Sequence, residues 1–134
     1  MSWDIFVQDL PADATTLDDI PHDFAPQPLG LRAEIIATIL AVVPYANFTD
    51  PTWGMIDAPE FSVEVNLGRD ELVDAFALHV RGGSAAVACV VAILDALGAR
   101  ALDAESGDIF NREAALERFE RWRSYRDQAI AADS

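Results

Sequence analysis

The sequence predicts an α+β fold in which an antiparallel or mixed sheet carries helices packed mainly on one face. Two observations lead to this prediction. Apolar and polar residues alternate over 61–68 and again over 75–81, as in adjacent half-buried strands. Apolar residues recur at helical spacing over 31–43, and a nearly continuous apolar segment over 85–97 lies between the cap residues of a second helix. The predicted element order is β-α-β-β-β-α-β-β-α, and 134 residues with 51% hydrophobic side chains indicate one domain over 1–134.

The first third of the chain combines a strand, a long loop and a helix. Strand-forming residues extend from Ile5 to Leu10, and Pro11 ends the run. Prolines and aspartates over 11–30 predict an extended but ordered loop. Its apolar side chains should hold it to the core, and these are Leu17, Ile20, Phe24 and Leu29. The first helix then follows, and Pro44 stops it.

The middle of the chain predicts three strands. A short strand over 53–57 precedes the central hairpin, which pairs the strand at 61–68 with the one at 75–81. We place the turn of this hairpin at 68–71, because Gly and Asp favour tight turns.

The second helix is the most apolar segment of the chain. Ser84 or Gly83 is its expected N-cap, and Gly98 occupies the C-terminal cap position. Asp95 is the single charged residue between 85 and 97. A helix that is apolar nearly all round must be buried on most sides, so we expect other elements or a second copy of the chain to cover it. A homodimer is therefore one expected assembly.

The last part of the chain predicts a hairpin and a helix. The hairpin covers 100–110, with its turn at 105–108. Asn111 is the expected N-cap of a final helix that runs to about Ala131.

The charge of the chain bears on its partners. There are 23 acidic and 9 basic residues, and the formal net charge is -14. This field repels phosphate backbones, so we expect no nucleic acid partner. Residues 1–74 hold fourteen acidic residues against Arg32 and Arg69 alone. A basic protein partner would therefore engage the first half of the chain, where Trp3, Trp53 and Tyr45 stand beside acidic loops.

Composition also indicates a compartment and a source. All basic residues are arginine, with abundant Ala and Asp, as a GC-rich bacterial genome would produce. The lone Cys89 cannot form an internal disulfide and suits a reducing compartment. The first residues lack a basic signal region, and the longest apolar stretch, 85–94, is too short for a membrane span. We expect a soluble cytoplasmic protein without membrane association.

Sequence motifs for cofactors, metals and nucleophiles are missing. No nucleotide-binding loop or nucleophile elbow occurs, and Cys89 with the distant His22 and His79 cannot make a typical zinc set. The acidic residues around Gly107 lack the spacing of a calcium loop, and a hairpin turn explains them. We therefore expect no cofactor, no metal and no catalytic residue.

The outward face of the central hairpin is the main candidate site. If the turn is centred near Asp70, Glu60 lies opposite Arg81, Ser62 lies opposite His79, and Glu64 is diagonal to His79. A carboxylate beside a histidine is the minimum for general acid–base chemistry. A solvated sheet face, a partner-binding surface and catalysis stay open as alternatives, in that order. The candidate polar sheet face consists of Glu60, Ser62, Glu64, His79 and Arg81.

The start of the second helix is the other candidate site. Backbone N–H groups of Gly82, Gly83 and Ser84 could form an anion nest, with Arg81 as the counter-charge. The alternative is an ordinary strand-to-helix turn.

Three segments of the chain resemble a group of small acidic bacterial proteins. They read WDIFVQ at 3–8, FSVEVNLG at 61–68 and LHVRGG at 78–83, and the similar span covers about residues 1–110. Members of this group are similar in size and acidity to the immunity proteins of bacterial toxin systems. The resemblance implies a bacterial, soluble, single-domain protein and transfers no residue roles.

Two functions follow from the sequence. The favoured one is a non-enzymatic protein-interaction module, such as an immunity-like inhibitor of a basic partner. The alternative is a small-ligand or anion-binding protein, or an enzyme, that uses His79, Glu64 and Arg81 near the Gly82-Gly83 turn.

Overall fold

A six-stranded antiparallel sheet is the main element of the structure, a computed structural model that describes residues 2–82, 84–111 and 117. The strands follow one another across this sheet in the order β3-β4-β6-β1-β7-β8, and β2 pairs with β5 in a separate two-stranded sheet. The elements are β1 Trp3–Gln8, β2 Gly30–Leu31, α1 Arg32–Val42, β3 Trp53–Asp57, β4 Phe61–Asn66, β5 Leu72–Val73, β6 Ala75–Gly82, α2 Ala85–Leu97, β7 Arg100–Asp103 and β8 Asp108–Ile109.

The predicted α+β class is confirmed, because both helices share one hydrophobic core with the inner face of the sheet. Alternate residues of the central strands are fully buried, as a sheet with one covered face requires. Side chains from α1 and α2 pack on them. The main members of this core are Ile5, Val7, Ile35, Ile39, Val63, Val65, Leu78, Val80, Val90 and Ile93.

Helix α2 begins and ends where its sequence predicts. Ser84 is the N-cap residue, and Gly98 ends the helix in the left-handed conformation with φ 61°. Val87, Val90, Ile93 and Leu94 are buried as expected, whereas Ala85, Ala88 and Ala96 are exposed among the described residues. Alanine offers little apolar area to a second subunit. Self-association stays a prediction, which light scattering across micromolar concentrations tests.

The central hairpin differs from its prediction in the connection between its strands. Residues 67–74 do not form a tight turn, since β5 lies inside them and pairs with β2. The guanidinium of Arg32 holds this connection by donating to the backbone carbonyls of Gly68, Arg69 and Asp70 at 3.4, 2.7 and 3.2 Å. The longer connection shifts the pairing of β4 with β6 by two positions. An even shift keeps every side chain on its predicted face.

The proline-rich loop after β1 packs on β7 and β8 at one end of the sheet. Leu10 and Ala14 form a second buried cluster with Ile109 of β8. Arg100 of β7 donates to the carbonyls of Pro11 and Ala14 and so fixes the loop to the sheet. The loop is therefore ordered as predicted, and Leu10, Ala14 and Arg100 hold it in addition to some of the predicted residues.

The predicted anchors of this loop divide into two groups. Ile20 packs on the second cluster and Leu29 on the main core, but Leu17 is 41% exposed. Leu17 instead begins a short 3-10 helix, Leu17–Asp19, which the sequence analysis did not predict.

Four further expectations about the elements can be compared with the structure. The first strand lies two residues earlier than predicted. The predicted hairpin at 100–110 is present as β7 and β8. The strands β2 and β5 are additional elements that were not predicted. The predicted helix from Asn111 to Ala131 lies almost wholly outside the described residues. Among the helices that the structure describes, none has the length and apolarity that a bilayer crossing requires.

Candidate functional site

The candidate site lies on the outer face of four adjacent strands, the side opposite the helices. We call this surface the outer face and define it by side chains that alternate with the buried ones along β3, β4, β6 and β1. Two large apolar side chains on it remain in contact with water, since Phe6 is 41% and Trp53 is 39% exposed. Its members are Asp4, Phe6, Gln8, Trp53, Met55, Asp57, Ser62, Glu64, Asn66, Ala75, Ala77, His79 and Arg81.

The outer face has a histidine at its centre. His79 of β6 lies opposite Asp4 of β1, and its Nδ1 is 2.9 Å from Asp4 Oδ1. The Ser2 hydroxyl donates to the same carboxylate oxygen at 3.0 Å. Asp4 is therefore the hydrogen-bonding partner of His79. Asp4 was absent from the predicted site, because the pairing of β1 with β6 joins residues 75 positions apart.

Glu64 pairs with an arginine rather than with the histidine. Glu64 lies directly opposite His79 in the strand register, not diagonal to it as expected. Its Oε2 is 3.3 Å from the Arg81 guanidinium. The shifted register also places Ser62 opposite Arg81 instead of His79. Four of the five predicted polar residues are thus neighbours on one face, while Glu60 is exposed in the connection before β4.

An aromatic ring covers one side of the histidine. Trp53 of β3 stacks on His79 with ring centroids 5.8 Å apart and planes 19° apart. Trp53 lies opposite Asn66 on β4, so the indole reaches diagonally across that strand to the imidazole. We call Asp4, His79, Trp53, Glu64 and Arg81 the charged cluster.

The charged cluster alters the acidity of Asp4. The hydrogen bond from His79 lowers the pKa of the Asp4 carboxyl below its ordinary value of 3.8. Partial burial opposes this shift, whereas the Ser2 hydrogen bond and the electrostatic interactions with His79 and Arg81 reinforce it. Asp4 is therefore held in its ionised form.

The lowered pKa of Asp4 predicts an acid-dependent contribution to stability. The ionised carboxylate stabilises the folded state above pH 3.8, and this contribution is lost as the pH falls through the lower pKa of the folded protein. The Asp4 side chain is 36% exposed, so we expect an effect below about 1 kcal/mol. Urea denaturation at pH 7 and pH 3 should show a smaller gap between wild type and Asp4→Asn at the lower pH. Asp57→Asn, which removes an exposed carboxylate from the same face, is the control, and an equal change in both variants would contradict the prediction.

The region of the predicted anion nest has a close contact between strands. Gly83 lies outside the described residues, and the Ser84 side chain makes no capping hydrogen bond. Gly82 lies opposite Phe61 with φ 111°, and a Cβ there would lie 2.4 Å from the carbonyl oxygen of Glu60. Close approach of these strands explains the glycine without a bound anion.

Burial of Cys89 and the hydrogen bonds of Asp103 fit structural roles for both residues. Burial raises the pKa of the Cys89 thiol to about 11, which keeps it protonated at neutral pH. Asp103 is 2% exposed and accepts hydrogen bonds from the Trp3 indole at 2.7 Å and the Glu105 backbone N–H at 2.8 Å. No three His, Cys, Asp or Glu residues of the described part are grouped to hold a metal ion.

A hollow lies beside the charged cluster on the outer face. Ala75 and Ala77 form its floor, Phe6 of β1 borders it on one side, and Asn66 of β4 borders it on the other. Its volume is about 440 Å³ and it opens to solvent. Because the small side chains of Ala75 and Ala77 lie between larger ones, the sheet has a depression here in which a side chain of a bound partner can be buried.

Comparisons of the chain with protein-family models, with curated proteins and with solved structures found no match.

Proposed function

We propose that this protein is a non-enzymatic interaction module that binds a basic protein through its outer face. One observation carries the proposal: Trp53 and Phe6 are exposed on an open sheet face among the carboxylates of Asp4, Asp57 and Glu64. Tryptophan is a frequent anchor of protein interfaces, because its large ring contributes contact area at a small loss of conformational entropy.

Charge supports the choice of a basic partner. The three carboxylates of the outer face belong to residues 1–74, which hold fourteen acidic residues and two arginines. Such a field attracts a cationic protein and accelerates encounter, and the attraction weakens with added salt.

The composition and the resemblance suggest where this interaction occurs. We propose a bacterial cytoplasmic protein, and an immunity-like inhibitor is the form of interaction module that its size and acidity favour. Its partner would then be a basic toxin, and a toxin encoded by a neighbouring gene would support this form.

Affinity capture with matched variants tests the proposal. The protein and its Trp53→Ser and Glu64→Arg variants are immobilised, and a lysate of the source cells is passed over each at low and moderate salt. We expect a basic protein that wild type retains and that both variants retain at least about tenfold more weakly. Leu72→Ser is the control, because Leu72 is 50% exposed on β5 in the other sheet. Retention that is equal on all four proteins, or an acidic captured protein, would refute the outer face as the binding site.

The contact between His79 and Asp4 favours a second candidate function. A carboxylate 2.9 Å from a histidine orients the imidazole, and Arg81 nearby can attract an anion, as in a small-ligand site or an enzyme. NMR titration with inorganic phosphate tests this candidate. Saturable shifts at His79 and Arg81 that vanish in His79→Gln would support it, and an unchanged spectrum at millimolar phosphate would oppose it.

A further inference from the structure

We infer that the basic partner places two side chains on the outer face: an apolar one in the hollow floored by Ala77, and a cationic one between the carboxylates of Asp4 and Glu64. This inference rests on the proposed function and adds the chemistry of the segment that binds.

The strand register gives the outer face two distinct rows. Asn66, Ala77 and Phe6 lie side by side across β4, β6 and β1. In this first row the small Ala77 lies between the larger Asn66 and Phe6, and the space above Ala77 is the hollow. Apolar contact with the methyl groups of Ala75 and Ala77 and with the Phe6 ring would stabilise an aliphatic side chain that is removed from water there.

The second row carries the charge. Glu64, His79 and Asp4 occupy the neighbouring positions on the same three strands. Asp4 accepts its hydrogen bonds from His79 and Ser2 at one oxygen, Oδ1, so its second oxygen can accept from a ligand. Glu64 contacts Arg81, whose side chain is 50% exposed and can be displaced by a partner cation at little loss.

The separation of the rows defines a spacing in the partner. Two residues along a strand span about 6.6 Å, so the hollow and the acidic row are about that far apart. Positions i and i+2 of an extended segment have the same separation, and positions i and i+4 of a helix are about 6 Å apart along its axis. The partner segment therefore carries an apolar and a basic side chain at one of these spacings.

Short peptides test this pairing with the intact protein. Acetyl-Leu-Ser-Arg-amide is titrated into the ¹⁵N-labelled chain and compared with acetyl-Ala-Ser-Arg-amide and acetyl-Leu-Ser-Glu-amide. We expect saturable amide shifts at Asn66, Ala77 and His79 with a dissociation constant in the millimolar range, because a tripeptide buries little surface. Replacing Leu by Ala should weaken binding about fivefold, and replacing Arg by Glu should abolish it.

A variant that fills the hollow separates the two contacts. In Ala77→Leu the leucine peptide should lose its advantage over the alanine peptide, while both arginine peptides still shift His79. Ala96→Leu is the matched control, since Ala96 is exposed on α2, which packs on the side of the sheet opposite the outer face. If Ala77→Leu loses the dispersed spectrum of a folded protein, the three peptides on wild type decide alone.

The outcomes distinguish the inference from the function on which it rests. Equal affinity of the leucine and alanine peptides for wild type, or an unchanged leucine advantage in folded Ala77→Leu, would overturn the inference and leave a basic partner in place. If neither arginine peptide shifts any outer-face amide, both the inference and the outer face as a site for basic proteins fail.

Discussion

Replacing Gly82 by alanine should lower the free energy of unfolding by about 3 kcal/mol or more. Two effects add at this position. The backbone has φ 111°, which residues with a side chain rarely adopt, and such strain costs of order 1–3 kcal/mol. The new Cβ would also lie 2.4 Å from the Glu60 carbonyl oxygen and 2.5 Å from the Phe61 Cα. Both are backbone atoms, so relief requires β4 and β6 to separate where they pair.

Gly68→Ala is the matched control for this prediction. Gly68 also has a positive φ, 79°, but a Cβ there meets no atom of the described residues within 4 Å. Its replacement adds conformational strain without a collision, and we expect a loss of about 1 kcal/mol. Urea denaturation of both variants gives the comparison. Equal losses would show that the close strand contact at Gly82 has no energetic consequence.

This result matters for the anion-nest hypothesis. A glycine before a helix N-terminus can allow backbone N–H groups to bind an anion, or it can allow two strands to approach closely. Replacing it impairs anion binding in the first case and stability in the second. If Gly82→Ala separates β4 from β6, weakened binding in that variant says nothing about an anion. Arg81→Gln then becomes the better test, because Arg81 is exposed and its removal leaves the strand backbone intact.

The fold was most predictable where its determinants are local. The end of α2 follows from the glycine after it, because Gly98 adopts the left-handed conformation and caps the last turn through its own backbone N–H. The alternation over 61–66 specifies a half-buried strand regardless of its neighbours. These features need no knowledge of how distant segments meet.

The candidate site was only partly predictable, because its register and its central contact are not local. The register of β4 with β6 depends on the eight-residue connection 67–74, which the Arg32 side chain and β2 hold in place. The partner of His79 depends on β1 entering the sheet between β6 and β7. Strand alternation correctly placed Glu64 and His79 on one face, but long-range strand order decided that Asp4, and not Glu64, bonds the imidazole.

Replacing Asp103 by alanine should lower the free energy of unfolding by about 3 kcal/mol. Asp103 is 2% exposed, and its carboxylate accepts from the Trp3 indole N–H and the Glu105 backbone N–H. Alanine offers neither donor an acceptor, and a partly buried donor left without one costs about 1–2 kcal/mol. Asp103→Asn keeps an oxygen in nearly the same place, so we expect it to lose only about 1 kcal/mol.

A double-mutant cycle identifies which hydrogen bond matters at Asp103. Trp3→Phe removes the indole donor but keeps an aromatic ring near Phe110, whose centroid lies 6.0 Å from that of Trp3. In urea denaturation, Trp3→Phe with Asp103→Ala should destabilise the protein by less than the sum of the single losses, with a coupling of about 1–2 kcal/mol. Strict additivity would mean that the indole contact contributes nothing to the loss in Asp103→Ala. Since Trp3 immediately precedes Asp4 on β1, a strong coupling would also show that the hairpin at 100–110 helps to position the strand that supplies Asp4 to the charged cluster.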